Sequence, residues 1–432
     1  MTGSDVVAAY GGGLVQFGAG NIGRSFIGQL FARSGMPVIF VDVDEVVIAE
    51  LNRRHEYPVV IRRQDRPDET LTIGGVAAVD ARDTDAVADA VAGAAVVATS
   101  VGARALEKVY PVLADGIRRR FGTAPAGAGQ AEAPDTAESA PGTWPQPGRS
   151  PLDIIIAENL PHGAEIFAES LGELLPNTIR IGREVGLVET SIGKMVPLIT
   201  EADRREDALR VFAEEYNTLI VDRPGFRGSI PDVPGLWPVE NIQAYVDRKL
   251  YIHNLGHAAV AYLGNRIIPG AEFIAECMEI PEVRERAAAA MHASAEALHR
   301  HYPEDLPAQE LAAHVEDLLQ RFGNHALRDT VYRVGRDVPR KLARDDRLVG
   351  AVRRCIHYGI DPAPIAECVA AALRFGATDE NGAPDRGAVE VRGLLERNGL
   401  DAVLTEVCGL DLHDPEDLRA AEAIRRAVAA AA

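Results

Sequence analysis

Residues 13–42 read GLVQFGAGNIGRSFIGQLFARSGMPVIFVD. Gly13–Phe17 is a short apolar run that predicts a buried strand. Gly18-Ala19-Gly20-Asn21-Ile22-Gly23 follows, and Phe26, Ile27, Leu30 and Phe31 then recur with helical spacing. A second strand, Val38–Val41, ends at Asp42. G-x-G-x-x-G alone is a weak signal. Between a strand and a helix, with an acid about 20 residues after the last glycine, it is a dinucleotide fingerprint. The glycines permit a tight turn and let a pyrophosphate approach the helix N-terminus, whose unpaired N–H groups attract an anion. Asp42 is placed to accept from the adenosine ribose hydroxyls and to repel a 2′-phosphate, which predicts NAD over NADP. Asp44 could share or take over that role.

Working outward, residues 57–74 predict a hairpin with a polar tip, and Ala94–Thr99 another buried strand. Val101 and Gly102 follow that strand, either in contact with the nicotinamide end of the cofactor or as a plain strand-to-helix turn. A helix is expected over 105–120. Residues 122–150 are rich in Ala, Gly and Pro with few large apolar side chains, and read as a flexible insertion that cannot order itself. Asp153–Ala157 is the next strand, leading to Glu158 and Asn159 and a helix from about 162 to 175. Asn159 thus stands at a strand's carboxyl end, either as a ligand group or as the cap of that helix. Val185–Glu189 reads as the last strand. From about 200 the pattern turns helical: 201–217, 238–264, 271–301, 308–321, 324–334, 345–358, 362–375, 386–398 and 414–431. The fold class is therefore α/β: an N-terminal doubly wound sheet of Rossmann type over 1–197, and a mostly α-helical C-terminal domain over 198–432.

Within the second half, Pro238–Gly264 predicts one long helix, with Pro238 suited to its first position. It carries Lys249, Asn254 and His257. In an α-helix Asn254 lies about 140° round from Lys249 and His257 about 80°, so all three fit on one side. Gly256 would weaken such a helix by about 1 kcal/mol, which suggests a close neighbour there, a cofactor or another backbone. The chain has four lysines, Lys108, Lys194, Lys249 and Lys341, among 45 basic residues. Where Arg serves as the ordinary cation, a retained Lys points to an amine that must lose its proton.

The net charge of −19 over 432 residues disfavours a nucleic-acid or anionic-membrane partner. Cys277, Cys355, Cys368 and Cys408 form no metal-type spacing, and fit reduced thiols in a cytoplasmic protein. No apolar run reaches the length of a membrane span, and the first thirteen residues lack the regions of a secretory signal.

Five stretches together carry a resemblance: FGAGNIGRSFIG, VDVDEVVIAELNRRH, AENL, RKLYIHNLGHAAVAYLG and RVGRDVPRKLARDDRL. The chain resembles the polyol-specific long-chain dehydrogenase/reductases, nearest their mannitol-phosphate branch, from about Leu14 past residue 410. The resemblance implies reversible hydride transfer between NAD and a secondary alcohol, without metal, by a monomer. The implied substrates are mannitol 1-phosphate and fructose 6-phosphate. A free polyol or hexonate is the alternative, and a non-catalytic NAD-binding sensor a remote one. Lys249 becomes the general acid/base, Asn159 and Asn254 hold the reacting oxygen, and His257 orients the substrate. A phosphate would need local cations, for which Lys194, Arg336, Arg340 and Lys341 are the candidates. There are departures. Gly193-Lys194 stands where that branch usually carries Asp-Arg, the 122–150 insertion is long, and the first twelve residues look like an extra tail.

Overall fold

The structure, a computed structural model, describes residues 2–122, 150–197 and 199–431. The insertion expected at 122–150 falls, except for its two end residues, outside the described residues. The chain forms two compact units, Met1–Ile242 and Gln243–Ala432.

The first unit is built on an eight-stranded sheet in the order β11-β10-β8-β7-β6-β1-β2-β5. The strands are β1 (Leu14–Phe17), β2 (Val38–Asp42), β5 (Val76–Asp80), β6 (Val96–Thr99), β7 (Leu152–Ile156), β8 (Val185–Ser191), β10 (Leu219–Asp222) and β11 (Leu236–Val239). β1 lies between β2 and β6, parallel to both, with Leu14 opposite Val38 and Val96. All four β1 residues are buried, as befits a parallel strand covered on both faces. Alternate residues feed two cores: Leu14, Val38 and Phe40 pack on one face, Val15, Phe17, Ile39 and Val41 on the other. A second sheet, β4-β3-β9, joins the expected hairpin, β3 (Glu56–Ile61) with β4 (Glu69–Gly74), to β9 (Val211–Ala213).

The structure corrects five expectations here. Val185–Ser191 is not the last strand, and 201–217 is not one helix. A helix of six residues, Glu201–Glu206, gives way to β9 and β10, and β11 carries the first unit on to Ile242 instead of 197. Pro238 belongs to β11, which lies at the sheet edge where a residue without an N–H is tolerated. The supposed tail is a helix, Gly3–Tyr10, capped by Thr2 and anchored by the buried Val6.

The second unit is helical among its described residues, apart from isolated bridges. Its centre is the helix Leu255–Ile267, buried at every residue from Leu255 to Gly264 except His257. It packs against Pro281–His301. An added Cβ at Gly256 would come within 2.4 Å of Met291 Sδ on that helix, and one at Gly264 within 2.3 Å of Cys277 Sγ. The close neighbour expected at Gly256 is thus a methionine side chain, not a cofactor or another backbone. Among the described residues no helix is long and apolar enough to cross a membrane, and no cluster of His, Cys, Asp or Glu has the arrangement of a metal site.

Candidate active site

In the first unit the turn after β1 divides its work among three glycines. Gly18 has φ +92°, and a Cβ there would meet the Ser100 carbonyl at 2.6 Å. At Gly23 a Cβ would lie 1.9 Å from the Gly18 carbonyl, so the helix starts hard against the turn. Gly20 alone of the three faces open space, as the residue that admits a pyrophosphate must. The helix opens with one wide turn, Gly23–Gly28, before Gln29–Arg33. Asp42 braces the turn: Oδ2 accepts from the Ala19 N–H at 2.6 Å, and Oδ1 from Val43 and Asp44 at 2.7 and 3.0 Å. Asp44 caps the helix Glu45–Arg54, which gives it a structural task of its own beside Asp42. Ala19, Gly20, Asn21, Asp42, Asp44 and Arg204 line a cavity of about 300 Å³. Ile22 packs on the core beneath it.

Arg24 and Glu158 are additions that sequence reasoning missed. The buried Arg24 guanidinium donates to the Ala19 carbonyl at 2.6 Å and to Leu209 at 2.5 Å, tying the turn to the segment before β9. Glu158 holds both N–H groups expected near the nicotinamide, Val101 and Gly102, each at 2.8 Å. This clamp joins the ends of β6 and β7. Asn159 follows it directly. It does not cap the next helix, whose N-cap position is His162. Its amide is exposed and without a hydrogen-bond partner among the described residues. Glu158 had one available signal, its place beside Asn159 at a strand's end. Lys194 is buried and turned elsewhere, donating to Asn217 Oδ1 at 2.8 Å with its ammonium 5.2 Å from the Phe26 ring centre.

In the second unit Lys249, Asn254 and His257 share one helical run, but not a uniform one. Ile242–Arg248 is α-helical, Lys249–Asn254 is a π-helical turn, and Leu255–Ile267 is α-helical again. Bonds from i to i+5 bring residues five apart nearer to one line than an α-helix does, so Lys249 and Asn254 are closer in azimuth than the α-helical estimate. Neither side chain has a hydrogen bond or ion pair among the described residues. Burial, helped by the like charge of Arg347, pushes the Lys249 amine down to about 8. Its side chain keeps partial solvent access. His257 stacks on Phe322 and reaches Asp329. His253, one turn back, is buried, and burial holds it well below the ordinary histidine range.

The four cations expected at a phosphate are dispersed in their duties. Lys341 is buried, donates to the Val334 carbonyl at 2.7 Å and to that of Arg336, and is pushed down to about 7 by burial, Arg347 and Arg340. Arg340 pairs with Asp337 and Asp346. Arg336 is exposed and has no ion-pair partner among the described residues. Arg347, another residue the sequence did not single out, depresses both Lys249 and Lys341 and so relates the 333–348 stretch to the helical run.

Residues 12–127 match the family model described as the mannitol dehydrogenase Rossmann domain, and residues 241–424 the mannitol dehydrogenase C-terminal domain. A curated mannitol-1-phosphate 5-dehydrogenase from Bacillus licheniformis is 34% identical over 400 residues, 92% of this chain and 95% of that protein. Among solved structures, Pseudomonas fluorescens mannitol 2-dehydrogenase, in a ternary complex with NAD and D-mannitol, is similar with a TM-score of 0.67 at 18% identity, over 98% of this chain and 92% of its own. A substrate-free D-sorbitol dehydrogenase gives 0.69 at 16% identity, over 98% and 96%.

Proposed function

The chain belongs to the mannitol dehydrogenase family, oxidoreductases acting on a secondary alcohol, and on that premise we propose that it interconverts mannitol 1-phosphate and fructose 6-phosphate with NAD(H). One observation carries the chemistry: Lys249 is a partly buried amine without an ion pair among the described residues, held at about 8. Such an amine is neutral often enough near pH 8 to take a hydroxyl proton, and cationic often enough to return it. Bound NAD supplies the hydride chemistry. Gly18 to Gly23 hold its pyrophosphate, Asp42 its ribose, and Val101 and Gly102 its nicotinamide end. The Asn159 and Asn254 amides donate N–H groups to the oxygen as it gains negative charge. His257 orients a neighbouring hydroxyl. No metal takes part, and the enzyme acts as a monomer.

The phosphate ester is supported by the 34% identity to a mannitol-1-phosphate 5-dehydrogenase. A free polyol is favoured by a different observation. Lys341 and Arg340 are engaged within the protein, and Arg336 is left as the cation without an ion pair among the described residues. The two readings separate in one assay. NADH oxidation is followed with fructose 6-phosphate and with fructose; the first should give the larger kcat/KM. A preference for fructose would reject the phosphate ester and leave a free-polyol dehydrogenase. Turnover of neither, with NADH still bound, would reject the enzyme.

A further inference from the structure

His257 is held from two sides. Its ring lies flat on Phe322, centroids 4.8 Å apart and planes 5° from parallel. Its Nε2 is 3.2 Å from Oδ2 of Asp329, a residue only 8% exposed. The other Asp329 oxygen accepts from Arg333 Nε at 2.6 Å, from the next helical turn. The Asp329 backbone is fixed as well, its carbonyl accepting from the Ile274 N–H at 2.8 Å. Burial works against the Asp329 carboxylate, but His257 and Arg333 outweigh it and hold its pKa below the usual range. An ionised carboxylate only accepts hydrogen bonds, so the hydrogen in this contact belongs to His257 Nε2. A neutral imidazole protonated there carries its lone pair on Nδ1, and among the described residues Nδ1 has no partner.

We propose that Asp329 is a positioning residue: by taking the Nε2 hydrogen it makes His257 a hydrogen-bond acceptor at Nδ1, and so selects a substrate with a hydroxyl, not a carbonyl or ether oxygen, next to the reacting carbon. The proposal rests on His257 touching the substrate, as in the function proposed above. Phe322 sets the plane of the ring, Asp329 its rotation and tautomer, and Arg333 keeps Asp329 in place. Asn254 then donates to the reacting oxygen while His257 accepts from its neighbour, two opposite polarities that fit the adjacent hydroxyls of a polyol.

The test begins with the full-length protein, ¹⁵N-labelled and without substrate. Long-range ¹H–¹⁵N spectra of the imidazoles, assigned with H257Q, should show His257 protonated on Nε2. D329A should move it to the Nδ1–H form or a mixture. D329N, which keeps an acceptor oxygen, should lie between. Kinetically, D329A should raise KM for the polyol about tenfold, the scale of one hydrogen bond of about 1.4 kcal/mol, with kcat changed less than about threefold and KM for NAD unchanged. If D329A does not fold, D329N carries the same comparison with a smaller shift. A native His257 protonated on Nδ1, an unchanged tautomer in both variants, or equal losses toward polyol and NAD would overturn the proposal. Native turnover with an unchanged polyol KM in D329A overturns the proposal alone. A native protein with the Nε2–H form but no polyol turnover removes the substrate from both the proposal and the function it rests on.

Discussion

Asp42 in the first unit accepts three backbone N–H groups; Lys249 in the second has no partner at all among the described residues. Near the glycine turn Arg24 is spent on carbonyls and Glu158 on two N–H groups. The Lys249 and Asn254 side chains have no such partners among the described residues. A cofactor that binds in one fixed pose is served by a rigid, satisfied cradle. A proton that must be taken and returned needs an amine whose ammonium is not stabilised by a carboxylate. On the proposed function, the difference separates residues that hold from residues that react.

The largest effect expected from this contrast is at Lys249. Lys249→Ala should lower turnover by about 10²–10⁴-fold while NADH titration gives an unchanged affinity, because the holding residues are intact. In the native enzyme alcohol oxidation should rise with pH through about 8 and ketone reduction should fall, since one direction needs the amine and the other the ammonium. A mutant with near-native turnover would erase the contrast.

Asp42→Ala should act in the opposite sense, on cofactor and not on chemistry. The ratio of NAD to NADP efficiency should fall about tenfold, the scale of one or two lost ribose hydrogen bonds, with kcat on NAD little changed. Equal use of both cofactors by the native protein would remove Asp42 from the cradle.

Glu158→Gln sharpens the boundary between the two kinds of residue. Glutamine offers one acceptor oxygen where the carboxylate offers two, so Val101 or Gly102 loses its partner, at about 1–3 kcal/mol if that N–H stays dry. Amide exchange at those two positions should quicken, and kcat/KM should drop roughly threefold to tenfold. Unchanged exchange would show the clamp to be ornamental.

The smallest effect is on stability. The Lys249 amine sits at about 8 in the folded chain and at 10.5 when unperturbed. Below about pH 8 the folded state carries the full penalty of a buried cation, and the penalty fades as pH rises toward 10.5. Lys249→Met should therefore raise the melting temperature at pH 7, by on the order of 1–3 kcal/mol of stability, and the gain should shrink at pH 10. An equal gain at both pH values would mean that the amine is not strained by burial.

The first unit's cradle was legible because its signal is local. A strand, three spaced glycines, a helix and an acid define a backbone path within thirty residues. β9, β10 and β11 were not legible: each spans four residues or fewer, and Pro238 in β11 imitates a helix start. On the helical run of Lys249, Asn254 and His257 the three residue identities stood out, but their geometry did not. Nothing in the apolar spacing of KLYIHN distinguishes a π turn from an α turn, because the choice is made by packing. Phe322, Asp329 and Arg347 lie 65 to 98 positions from His257 and Lys249, on which they act, and single-sequence patterns do not reach that far. Lys194, Arg340 and Lys341 were picked out by charge, whereas their donors and pairs are set by tertiary neighbours.

The π turn at Lys249–Asn254 also lets the helical run hold one residue more than an α-helix of the same course. A turn closed from i to i+5 holds one residue more than a turn closed from i to i+4. Loss of a single codon among residues 250–253 would let the chain wind as an unbroken α-helix. The helix would survive, and because four α-helical residues span nearly the arc of five π-helical ones, Lys249 would stay on the side of Asn254 and His257; rewinding the full-length run as an unbroken α-helix would instead turn Lys249 away by roughly 100°. A turn of this kind works as a slack link: it takes up one amino acid more than an α turn and keeps the side chains on either side of it in line.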